Sequence, residues 1–177
     1  MSGALAAVAG ASVVAAGGAA TASPADKAGA TVITMEQEGR ELFFDGPATV
    51  DQGATLKIKN NTNPRKIGPH TFSLVREADI PTGAEDIRKC GRKFVKICGE
   101  IVRWHQVDLQ IGEVGRNPSE AGGNGWDKKG SLKRRGDSWV AEARKETFKQ
   151  EVTASEGATL TYFCAVHPEM RGEIEVD

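Results

Sequence analysis

The chain has 177 residues, 39% of them hydrophobic, with 23 basic and 24 acidic side chains and a formal net charge of −1. That length fits one domain, or one domain with an insertion, and the charge balance, with a pI near 6.3, excludes the overall basic surface that nucleic acid requires. Beyond the N-terminal run, roughly 155 residues are enough to bury a core without metal or cross-links, so a bound metal would be functional cargo and not scaffold.

The first 25 residues carry no charged side chain, and residues 4 to 20 are almost entirely Ala, Val and Gly. Ala20-Thr21-Ala22 ahead of Ser23 fits a small-residue cleavage site, which predicts a signal peptide over 1–22 and an exported mature chain from 23 to 177. Met1-Ser2-Gly3 lacks the basic residue such a segment usually carries, and the run is short and poor in Leu and Ile for a spanning helix.

Strand patterns follow. Thr31 to Met35 reads as a first strand, Leu42-Phe43-Phe44 and Ala48-Thr49-Val50 flank an Asp45-Gly46-Pro47 turn, and Leu56 and Ile58 alternate with lysines as in a half-buried antiparallel strand. Asn60 to Pro64 ends it, and His70 to Val75 is the next strand. Residues 76 to about 140 differ in texture and read as an irregular insertion, with a turn or two of helix and one short strand where Val107, Leu109 and Ile111 alternate with polar residues. A Gly/Asn/Pro-rich stretch then leads to a basic run, Lys128-Lys129 and Lys133-Arg134-Arg135, read as a solvated loop or, more sharply, as a docking patch for an acidic partner. His105, within the insertion, is expected to be a surface or capping histidine. Strands return at Thr147 to Val152, Thr159 to Phe163 and Glu173 to Val176.

Three cysteines are present. In an exported chain Cys90 and Cys98 form a natural disulfide pair. Thr82-Gly83-Ala84-Glu85 resembles a capping box, however, and the residues after it have helical spacing. On one unbroken helix, residues eight apart lie about 12 Å from each other, beyond the roughly 7 Å a disulfide spans. The bridge therefore requires the helix to break, expected near Gly91, so that the chain folds back; two separate buried thiols are the alternative.

The third cysteine stands in Cys164-Ala165-Val166-His167-Pro168-Glu169-Met170, a thiol, an imidazole and a thioether three residues apart in the loop between the last two strands. Such donors suit one small soft metal ion. With a second imidazole they make a His₂Cys site with a weak axial Met, the arrangement of mononuclear blue copper. His70, opening a strand, is the natural fourth ligand. Any one of these residues alone reads as core filler or a hydrogen-bonded ring. Together they point to one copper ion held by His70, Cys164, His167 and Met170. Zinc fits less well, because a thioether is a poor ligand for it.

On these residues the chain resembles the cupredoxins of the plastocyanin/azurin superfamily. The C-x₂-H-x₂-M loop, with its proline after His167, is most similar to that of amicyanins. The resemblance covers roughly 31–75 and 146–177, under half of the chain. It implies an all-β, Greek-key sandwich and electron transfer through the exposed edge of His167. The residue after the first His ligand is commonly Asn in that family and is Thr71 here. The 93 residues between His70 and Cys164 also exceed the spacing in its small members.

The expected function is a monomeric one-electron carrier for a redox partner protein, with no small-molecule substrate and no nucleic acid. A metal-exchanging trafficking protein is the alternative. Three histidines and three methionines are too few for a trinuclear cluster or a Met-rich exchange site, and one cysteine in the loop is too few for a binuclear centre. No enzyme activity is expected.

Overall fold

The computed structural model describes residues 30–120 and 124–177. The expected signal segment and residues 121–123 of the Gly/Asn-rich stretch lie outside the described residues. Alternating apolar residues build most of the strands. Ile33 and Met35 of β1 (Thr31–Glu38) and Leu56 and Ile58 of β4 (Thr55–Asn60) are buried, while the residues between them reach toward solvent. With β2 (Glu41–Asp45) and β9 (Thr147–Glu151) they form a sheet in the order β2-β1-β4-β9. The second sheet, β3-β11-β10-β5-β8, holds β3 (Thr49–Val50), β11 (Arg171–Val176), β10 (Thr159–Phe163), β5 (His70–Leu74) and β8 (Ser138–Ala141). The chain crosses repeatedly between the two layers, giving the expected Greek-key β-sandwich. Between them lies a core that includes Phe72, Leu74, Trp126, Leu160, Tyr162 and Ile174.

Every residue of β5 and of β8 is buried, a pattern that requires cover on both faces of the second sheet. The region read as an irregular insertion supplies that cover. It contains two helices, α2 (Ala84–Lys93) and α3 (Lys96–Trp104), numbered after a single turn, α1 (Pro64–Ile67), that precedes β5. Side-chain alternation sorts β10 and its extension between the two cores. Leu160, Tyr162 and Cys164 face the sandwich, while Phe163 and Ala165 pack with Val75, Ile97, Ile101 and Trp104. The fold is thus a sandwich with a third, helical layer over one sheet.

Several expectations are corrected here. The helix breaks near Gly91 as expected, but not at the glycine itself; α2 runs through it to Lys93, and Phe94, with a left-handed φ of 47°, turns the chain into α3. The turn brings the Cys90 and Cys98 Cα atoms to 5.3 Å, with the sulfurs at bonding distance, which reconciles helical spacing with the bridge. The capping box does not form: Gly83 is the N-cap residue and no side chain caps the helix. Val107, Leu109 and Ile111 do not share one strand. Val107 lies in β6 (Val107–Asp108), paired with β7 (Glu113–Val114), and Leu109 and Ile111 sit exposed in the connecting turn. Residues 138–141, placed at the edge of the insertion by the sequence, form a strand of the sandwich against β5.

Candidate metal centre

The last two strands pair in register, Phe163 opposite Arg171, so the loop between them is closed at its base. Cys164 N–H donates to the Met170 carbonyl and Met170 N–H to the His167 carbonyl, each at 2.9 Å. These two bonds form a tight turn with Cys164, His167 and Met170 on one short arc. Cys164 and Met170 are fully buried in the sandwich core, and His167 is partly covered.

His70 opens β5 and is fully buried. Its Nδ1 lies 3.8 Å from Cys164 Sγ, and His167 Nδ1 lies at the same distance. The two rings are tilted by 38° with centroids 4.7 Å apart. One donor atom from each of His70, Cys164 and His167 falls within 4.8 Å of the others. Three of the four residues expected as ligands, His70, Cys164 and His167, are thus brought together by their donor atoms, and Met170 stands buried on the same closed turn.

Hydrogen bonding aims these donors. His167 Nε2–H donates to the Ile67 carbonyl at 2.9 Å, which leaves Nδ1 as the nitrogen with the lone pair. Ile67 ends α1, a helical turn where the sequence pattern shows only the end of a strand. Its signal was present: Pro64 stands at the first helical position and Gly68 just past the last. The Cys164 sulfur accepts the backbone N–H of Thr71 at 3.3 Å and of His167 at 3.4 Å. Thr71, the residue that departs from the resemblance, braces the loop by another route, its hydroxyl accepting Ala165 N–H at 2.9 Å.

Burial sets the protonation states. His70 is pushed down to about 4 by desolvation, with the His167 charge adding to the effect. His167 is lowered by burial, against the opposing influence of Glu169 and the Ile67 carbonyl. Both rings are neutral at pH 7 and able to ligate. Burial pushes the Cys164 thiol up, although the Thr71, His167 and Val166 N–H groups resist it. The sulfur is thus surrounded by donors suited to a thiolate in a place that disfavours bare charge. A cation between the three donor atoms resolves that conflict, and two imidazoles with a thiolate are donors suited to copper. The residues fit the metal.

Of the two readings of His105, surface or capping, the second holds: it is the C-cap residue of α3 and is completely buried. His167 stays partly exposed, while the loop residue after it is covered. Pro168 is buried, because α2 crosses the loop at Gly91, where an added Cβ would stand 2.8 Å from Pro168 Cδ and 2.9 Å from the Val166 carbonyl.

The fold and the site together define a β-sandwich with a buried His–Cys–His cluster at one end. Among solved structures the chain is similar to reduced auracyanin from the photosynthetic bacterium Roseiflexus castenholzii, at 16% identity over 84% of this chain and 99% of that one, with a TM-score of 0.42. It is likewise similar to auracyanin A, a "blue" copper protein of the green thermophilic photosynthetic bacterium Chloroflexus aurantiacus, at 22% identity over 84% and 100%, with a TM-score of 0.41. No family model and no curated protein sequence matches the chain. At these levels of similarity the site's own geometry is the firmer guide to function.

Proposed function

We propose that the chain is an exported type 1 copper protein, ligated by His70, Cys164, His167 and Met170, that carries single electrons. The observation that supports this most directly is the aim of both Nδ1 atoms at one buried sulfur, 3.8 Å from each. When bound, copper supplies the Cu(II)/Cu(I) couple. The chain's own part is to keep the donors in place. Cys164 and Met170 are tied to each other through the backbone, His167 is tied to Ile67, and Thr71 N–H is directed at the sulfur. A site held this way rearranges little between oxidation states, so little reorganisation opposes transfer. Full burial of three of the four ligands favours retention of the metal over its exchange.

Export is supported by the Ala/Gly-rich N-terminal run and by a cysteine pair at bonding distance, the usual state of a disulfide in an oxidising compartment. Among the described residues no helix is long and apolar enough to cross a membrane. We read 23–177 as one domain, because the insertion has no core apart from the sheet it covers.

The partner is proposed to be an acidic redox protein, and the basic run at 128–135 is badly placed to meet it. Gly130 pairs beside Leu74 and Val75, at the far end of β5 from His70, roughly 13 Å along the strand. Lys128 and Arg135 are also tied to Glu120. A better surface lies on α2, where Arg88, Lys89, Arg92 and Lys93 line one depression. Gly91 on the same helix rests on the ligand loop.

Addition of Cu(II) to the purified protein tests the reading. An intense blue thiolate-to-copper band that is lost in Cys164→Ser is expected, and its absence would overturn the assignment. Rapid loss of the metal to a chelator would favour trafficking instead.

A further inference from the structure

Between the ligand loop and the helical layer lies a cavity of about 190 Å³ that the metal centre does not use. Ala165 and Val166, between Cys164 and His167, form one wall together with Pro69, which precedes His70. Val102 of α3 and Leu109 and Val114 of the β6–β7 hairpin form the other. Leu109 is 61% exposed, so the cavity opens to solvent on the hairpin side. Protein interiors hold few voids larger than a water molecule, and side chains around an empty one forfeit contacts on that side. A space of this size beside the ligand loop is therefore better filled than empty.

The chemistry of the lining selects what fills it. Among the described residues, three lining side chains carry a polar group: Thr71, His105 and Glu142. The Thr71 hydroxyl oxygen accepts the Ser73 hydroxyl and Ala165 N–H, each at 2.9 Å. The His105 nitrogens lie 2.7 Å from the Arg116 carbonyl and 2.7 Å from Ser138 Oγ. Both side chains are buried and already partnered, so neither has a bond to offer a guest. A sugar or an amino acid would give up its bonds to water there without replacement. Glu142 is exposed, and its carboxylate at the rim disfavours an anion. An uncharged, apolar molecule is what this lining favours. Size narrows the class further. An apolar cavity of about 150 Å³ stays dry and takes up benzene, so the space here fits one ring with a short substituent.

We propose that this cavity is a binding site for a small, uncharged, apolar ring compound, and that its occupant acts on the metal centre from outside the ligand set. The guest rests on Val166 and Pro69, the chain neighbours of His167 and His70, while no ligand side chain lines the cavity. Its effect on the metal therefore passes through the backbone that carries the ligands.

Toluene is the probe, with benzoate as its anionic counterpart. In the metal-free protein, toluene should produce saturable NMR shifts of the Val102, Val114 and Val166 methyl signals, and benzoate should not. Val102→Phe and Val114→Phe, made separately, each place a larger side chain in the space, and whichever folds should lose the Val166 shift. Shifts that do not saturate, that benzoate produces equally, or that persist in a filled variant would overturn the site. A second measurement rests on the copper reading. In the copper-loaded protein, toluene should displace the thiolate-to-copper band of the wild type and leave that of a filled variant unmoved. An unmoved band in the wild type would overturn the link to the metal centre. Failure of the protein to take up copper would remove the functional reading, while the NMR titration would still decide the site.

Discussion

Thr71 meets the ligand loop twice, through its amide on the Cys164 sulfur and its hydroxyl on Ala165 N–H. Thr71→Val keeps the shape and the first contact but leaves the Ala165 amide buried without a partner. The unpaired donor is expected to cost about 1–3 kcal/mol in urea unfolding of the metal-free protein. His105 makes a second residue-level prediction. Its folded pKa, about 4, lies below its ordinary value of 6.5, so between those values the unfolded chain binds a proton that the folded chain does not. The contribution is complete above pH 6.5 and is lost as pH falls toward 4, on the order of 3 kcal/mol in full. The wild-type protein should lose more stability across that window than His105→Gln, as read by urea midpoints from pH 7 to 4. Equal losses would show that the ring titrates normally.

At the scale of elements, α2 is the part of the insertion that touches the site. Gly91 allows that contact, since a methyl group there would meet Pro168 and the Val166 backbone. Alanine is the better helix former by about 1 kcal/mol, and overpacking of this kind costs about 1–3 kcal/mol. Gly91→Ala is therefore expected to destabilise the protein on balance and to perturb the copper band; a more stable variant with an unchanged spectrum would show that α2 does not press on the loop. The charge on α2 is tested separately, with small redox reagents. Neutralising Arg88, Arg92 and Lys93 together should slow oxidation of the reduced protein by hexacyanoferrate(III), an anion, several-fold at low salt. The difference should vanish at high ionic strength, where exposed charges are screened. Neutralising Lys133 and Arg134, across the molecule, should have little effect.

At the scale of the whole molecule, the cross-link between α2 and α3 closes a short loop, so its removal by Cys90→Ser with Cys98→Ser is expected to cost about 2–3 kcal/mol. Denatured, unreduced protein should offer a single titratable thiol, Cys164. Much of the sandwich was legible in the sequence, because the alternation of Leu56 with Lys57 or of Ile174 with Glu175 records a strand with one wet face. The helical layer was harder to read, since the strands it covers are buried on both faces and lose that alternation. The place where its helix breaks depends on Phe94 taking a left-handed turn that glycine more often supplies. The ligand set was legible for a different reason: three of its members lie within seven residues, where spacing alone nearly fixes geometry. By itself the sequence determined the donor chemistry and the strands that bear it, because both are local. Only the tertiary structure decided which carbonyl orients His167 and how Thr71 braces the loop. Those contacts join segments distant in the chain, and nothing in the local pattern of either partner announces the other.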